Sequence, residues 1–66
     1  MNKPKYSEGD KVRAFDKNDK PRFTGVITSI RLNILGLGSI EYLVKYGDDV
    51  YAARWVPEHL IQLTSA

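Results

Sequence analysis

IEYLVKYGDDVYAARWV, residues Ile40 to Val56, decides the fold, because two runs of alternating side chains flank Gly47-Asp48-Asp49, a tight-turn sequence. A β-hairpin is predicted. Along its first arm Ile40, Tyr42, Val44 and Tyr46 share one face and Glu41, Leu43 and Lys45 the other, since side chains alternate along a strand. Along the second, Val50, Ala52, Arg54 and Val56 oppose Tyr51, Ala53 and Trp55. Apolar side chains thus occur on both faces of both arms. That is more than a one-sided sheet needs, so either a strand bends across a barrel wall or one face meets a partner.

Working outward from the hairpin, Val56-Pro57-Glu58-His59-Leu60 follows; Pro57 fixes φ and removes a donor, so the strand ends in a single helical turn. Ile61 to Leu63 is then a short closing strand. Upstream, Asn33 to Ser39, NILGLGS, has the glycines of a loop together with Ile34, Leu35 and Leu37, which either fold over an open barrel end or form a contact surface for a second copy. Arg22 to Leu32 is rich in β-branched residues and reads as a strand, with Val26, Ile30 and Leu32 on one face and Phe23 and Ile27 on the other. Gly25 inside it marks a sharp bend or a close backbone approach. Asp16 to Pro21, DKNDKP, is a solvated turn, and Gly9-Asp10 opens a first strand, Lys11 to Phe15. Residues 1–8 read as a loosely held arm that Tyr6 can pin, and residues 64–66 as a tail. The fold class is therefore all-β: a small five-stranded barrel over residues 9–63 with one short 3-10 turn before the last strand.

A chain of 66 residues without cysteine has no disulfides, and its one histidine, His59, is too little for a structural zinc site. A core of this size supplies about 3–5 kcal/mol of net stability. The net charge is only +2, but seven of the ten Lys and Arg lie in the first 22 residues against four acids, which gives the domain a basic edge. No apolar run has the length of a membrane helix, and no signal-peptide core follows the first lysines, so a cytoplasmic protein is expected, with no membrane partner.

Taken together, Gly9-Asp10-Lys11-Val12, Phe23-Thr24-Gly25-Val26-Ile27, Tyr42 to Asp49 and Val56 to Ile61 resemble the SH3-like barrels of the Tudor and KOW types over residues 9–63. KOW-type and retroviral integrase C-terminal domains contact nucleic acid through basic loops and exposed aromatics. This resemblance implies a nucleic-acid site made of Lys11, Arg13, Lys17, Lys20 and Arg22 around the first turn, with Arg31, Lys45, Arg54 and Trp55 on the sheet. Tudor-like domains hold a methylated cation in an aromatic cage, and that likeness implies a pocket of Phe15, Phe23, Tyr46 and Tyr51 with Asp48 or Asp49 as its acid, taking a peptide or modified side chain. Phe15 and Tyr51 fall about one residue out of that family's register. Plasmid type II dihydrofolate reductase is a further, weaker likeness; its Val-Gln-Ile-Tyr motif falls on Ala52-Ala53-Arg54-Trp55, where the glutamine is missing.

Other constellations carry no chemistry. Tyr46-Gly47-Asp48-Asp49 copies a polymerase metal-binding hairpin but lacks a further carboxylate and a domain able to hold a template. His59 has no neighbouring nucleophile to make a triad, and Gly36-Leu37-Gly38 lacks the Lys-Ser/Thr of a phosphate loop. No enzyme activity and no cofactor are expected. The expected function is that of a binding module for nucleic acid, with a protein or peptide ligand as the alternative, self-association through Ile34, Leu35 and Leu37 a third possibility, and a phage or plasmid accessory role in keeping with the size. On size, Trp55 is expected in the core with Val12, Val26, Ile30, Val44, Val56, Leu60 and Ile61.

Overall fold

The computed structural model of the chain describes residues 3–33, 39–48 and 51–64. The fold is all-β. Five strands, β1 (Lys11–Phe15), β2 (Pro21–Asn33), β3 (Ser39–Lys45), β4 (Ala53–Pro57) and β5 (Ile61–Leu63), form one antiparallel sheet in the order β4-β3-β2-β1-β5. A 3-10 turn, Glu58–Leu60, separates β4 from β5 as Pro57 requires. β4 and β5 are the edges of this sheet, which is not closed.

The expected hairpin is present, with Tyr42 opposite Val56, Leu43 opposite Trp55 and Val44 opposite Arg54. Its second arm is shorter than the alternation suggested: β4 begins at Ala53, and the last rung is the Tyr46 amide donating to the Ala52 carbonyl at 2.9 Å. The loop Ile34, Leu35 and Leu37, like Asp49 and Val50, lies outside the described residues.

β2 is the long element on which the sheet turns. At Gly25 its backbone presses on β3, so closely that a Cβ there would sit 2.8 Å from both the carbonyl carbon of Lys45 and Cγ1 of Val44. Glycine is needed because no side chain fits. Three residues later Thr28 is skipped in the pairing, Ile27 facing Val44 and Ser29 facing Leu43, which is a β-bulge. The bulge reverses the parity of the strand. Ile27 and Ile30 therefore both point toward the buried side with Val44 and Tyr42, whereas Val26 and Arg31 both point away from it. Val26 is accordingly 40 % exposed, not a core residue.

Tyr6, Val12, Ala14, Ile27, Ile40, Tyr42, Val44, Val56 and Ile61 make the core, with Phe23, Ile30 and Leu60 packed against it. Trp55 is not in it. It sits opposite Leu43 on the outer side of the sheet and is 36 % exposed, because strand alternation puts Trp55 outward once Val56 is inward. Tyr6 is buried edge-on against Tyr42, ring centroids 5.5 Å apart, and its hydroxyl donates to the Ile61 carbonyl at 3.0 Å. No helix among the described residues is long and apolar enough to cross a membrane.

Candidate nucleic-acid interface

The parity of the strands sorts the candidate residues by face. Directly paired residues of antiparallel strands share a side, so the row Lys11, Val26, Lys45 and Ala53 lies on the outer face, as do Arg13 with Thr24 and Gln62, Leu43 with Ser29 and Trp55, and Arg31 with Glu41 and Pro57. The outer face is basic. It carries Lys11, Arg13, Arg31 and Lys45, all exposed, with Trp55 on the same face at the β4 edge, and the acid among these paired residues, Glu41, is engaged by Arg31.

Arg31 and Trp55 are in direct contact on that face. The Arg31 guanidinium lies over the indole with its carbon 4.0 Å from the ring centroid, and its Nε donates to Oε1 of Glu41 at 2.8 Å. Two contacts thus hold one cation: a cation–π contact and a charge-assisted bond. The side chain of Arg31 stays half exposed while that of Glu41 is only 14 % exposed, so the positive group faces solvent and the negative one does not.

Next to this cluster is a shallow, open groove of about 430 Å³ lined by Thr24, Gly25, Val26, Thr28, Lys45, Tyr46, Gly47 and Asp48. It lies where β2 passes the end of β3, beside Gly25, Gly47 and the Thr28 bulge.

The β1–β2 turn is more built than a plain solvated loop. One oxygen of Asp16 accepts from the amides of Asn18 at 2.8 Å and Lys20 at 2.9 Å, the Asp16 amide donates to the Lys20 carbonyl, and Asp19 takes a left-handed φ of 67°. Asp16 is therefore spent on the backbone, and Lys17, Lys20 and Arg22 project from the turn exposed. Arg54 is also exposed, yet it pairs with buried Val44 and so lies on the opposite side of β4 from Trp55. The structure separates these two neighbours in sequence.

Of the aromatic-pocket residues, Phe23 and Tyr46 meet, their rings tilted by 37° with centroids 4.6 Å apart. The Arg22 guanidinium already lies 5.3 Å from the Phe23 centroid. Phe15 is half-buried opposite Pro21, Tyr51 is 87 % exposed, and Asp48 borders the groove.

Away from this face, Tyr42 centres a polar knot. Its hydroxyl accepts from the amides of Lys5 at 2.9 Å and Tyr6 at 3.2 Å and donates to Oε2 of Glu58 at 2.6 Å; the Lys5 amide also reaches that oxygen at 3.0 Å. The bond from Tyr42 holds the Glu58 carboxyl below its ordinary range, and burial, followed by that same bond, pushes the Tyr42 hydroxyl above its own. The knot fastens the N-terminal arm to the 3-10 turn.

Sequence reading found Arg31, Lys45 and Trp55 but missed Glu41 as the partner of Arg31 and missed Thr24, Val26 and Thr28 as groove walls. The signal for the first was the alternation of β3 itself, which puts Glu41 outward beside Leu43. Among the described residues no three His, Asp or Glu side chains are grouped to hold a metal. No protein-family model, curated protein or solved structure matches the chain.

Proposed function

We propose that this chain is a small barrel of the SH3-like type acting as a non-catalytic module that binds nucleic acid through the outer face of its sheet. The barrel reading is supported by the strand order, the 3-10 turn before the last strand, and the close approach of β2 to β3 at Gly25. One observation carries the function: Lys11, Arg13, Arg31 and Lys45 share one face with a half-exposed Trp55, and the single acid in those rows is already paired. Cations placed this way neutralise phosphates and release counterions, and an exposed aromatic on the same face offers a surface for a base. Lys17, Lys20 and Arg22 extend the positive surface from one end.

The aromatic-pocket reading has the weaker support. Rings packed at 4.6 Å leave no space for a methylated ammonium between them, and an arginine already lies by the face of Phe23.

Fluorescence anisotropy of a labelled oligonucleotide over a salt series tests the proposal. Affinity should fall linearly in log–log form, and Lys11→Gln, Arg13→Gln and Lys45→Gln together should reduce the slope by about 2 for a single strand, at about 0.7 per phosphate contact. A slope unchanged by the triple variant would remove the outer face from the interface.

A further inference from the structure

We infer that the outer face selects single-stranded nucleic acid, with one base stacked on the Arg31–Trp55 pair and the neighbouring nucleotide lodged over the groove beside Lys45. This rests on the nucleic-acid reading above and names the form of strand it takes.

A half-solvated antiparallel sheet normally alternates apolar-in and polar-out. Here the outward row holds Trp55 beside half-buried Leu43, with Val26 next to Lys45, all rimmed by cations. Phosphate recognition alone requires none of these apolar groups. Flat aromatic surface among cations is the chemistry of base stacking, available only where bases are unpaired and splayed.

The Arg31–Trp55 pair is suited to that role. Glu41 grips Nε, the guanidinium carbon lies 4.0 Å from the indole centroid, and the Arg31 side chain is still half exposed, so part of the cation stays open to a ligand. A base laid on that exposed part extends the contact from indole to guanidinium to base. Ordering Arg31 beforehand removes the rotamer cost that a mobile arginine would incur on binding.

The groove supplies the second position. Lys45 lies two residues from Leu43, the residue paired with Trp55, so the two positions are about 7 Å apart along β3. The groove is lined by Thr24, Thr28, Lys45 and Tyr46, which offer polar, cationic and aromatic groups to a nucleotide, and by Asp48, whose carboxylate accepts from a base amino group and not from a phosphate; the Thr28 hydroxyl donates to the Leu43 carbonyl at 3.3 Å. A rigid duplex hides the base faces, and its backbone would meet only the rim of cations.

Trp55 is the only tryptophan, so its emission reports on this surface directly. The experiment titrates the intact chain with three probes: a mixed-sequence single-stranded DNA, the same sequence as a duplex, and a single strand with abasic positions throughout its centre. The expected result is quenching by the single strand and an affinity roughly ten- to a hundredfold above that for the duplex or the abasic strand, the range that base stacking supports. Arg31→Leu, which keeps Trp55 as reporter, should lose most of that preference while retaining duplex-level binding. Trp55→Phe, followed by anisotropy, should retain part of it, and far-ultraviolet circular dichroism checks the fold of both variants. Duplex or abasic strand binding as tightly as the intact single strand would overturn this inference and leave the nucleic-acid function standing. Binding to none of the probes would overturn both.

Discussion

Tyr42→Phe removes one oxygen atom and leaves the ring, so it isolates the polar knot from the core packing around it. Three hydrogen bonds end on that oxygen: from the Lys5 and Tyr6 amides, and to Glu58. The Lys5 amide keeps its bond to Glu58, but the buried Tyr6 amide keeps no partner. At about 0.5–1.5 kcal/mol for each ordinary bond, with the bond to the carboxylate at the upper end, the loss comes to about 2–3 kcal/mol. That is most of the roughly 3–5 kcal/mol expected of a domain this small. The pH dependence follows from the same atoms. Glu58 titrates lower in the folded protein than in the unfolded chain, so its contribution is fully present above the ordinary value of about 4.3 and is lost as pH falls through the folded value. Tyr42 titrates higher when folded, so its contribution is present below about 10 and is lost as pH rises beyond that through its folded value. Urea unfolding followed by circular dichroism from pH 3 to pH 11 measures both limbs. Tyr42→Phe should lower the midpoint throughout the neutral range, flatten the acid limb and abolish the alkaline contribution of this residue. A loss under about 0.5 kcal/mol with an unchanged pH profile would refute the knot as a source of stability.

Further outcomes follow from the packing. Gly25→Ala should cost about 3 kcal/mol, the upper end for overpacking, since the nearest obstruction is the backbone of Lys45, with Cγ1 of the buried Val44 beside it; thermal unfolding checks it, and a wild-type midpoint would mean that β2 does not press on β3. Val44→Ala should cost about 2–3 kcal/mol, whereas Val26→Ser, on the solvent side, should stay within about 0.5 kcal/mol in the same urea assay, and equal losses would contradict the parity change at Thr28. Asp16→Ala should cost about 1 kcal/mol and speed amide hydrogen exchange at Asn18 and Lys20 without altering exchange at Val44.

How much of this was legible in the sequence depends on how local the physics is. β1 falls on Lys11–Phe15 as predicted, and the 3-10 turn and β5 do too, because Gly-Asp, DKNDKP and Pro57 are strong local punctuation. The two faces of β2 were not legible. A bulge at Thr28 shifts the period by one, and nothing in Thr28 itself announces it, so anchoring the alternation on Ile30 and Leu32 sent Val26 inward. Trp55 is a different kind of miss: the alternation of β4 placed it opposite to Val56 from the start, and the argument from size overrode a pattern that was right. The knot at Tyr42 joins residues 36 and 37 positions apart, beyond the reach of any local rule, although Tyr6 as a pin for the arm was anticipated. For the site, sequence supplied the cations and the tryptophan, while only the sheet register showed that Arg31 joins Trp55 and Arg54 does not.

The most direct test of the central claim is a ¹H–¹⁵N NMR titration of the chain with a mixed-sequence single strand at low and at moderate salt. Shifts are expected at Lys11, Arg13, Arg31, Lys45 and the Trp55 indole N–H, shrinking as salt rises, with Arg54 and the Tyr42 region still. Shifts confined to Phe23, Arg54 and the opposite side of the sheet, or none at either salt, would contradict that claim.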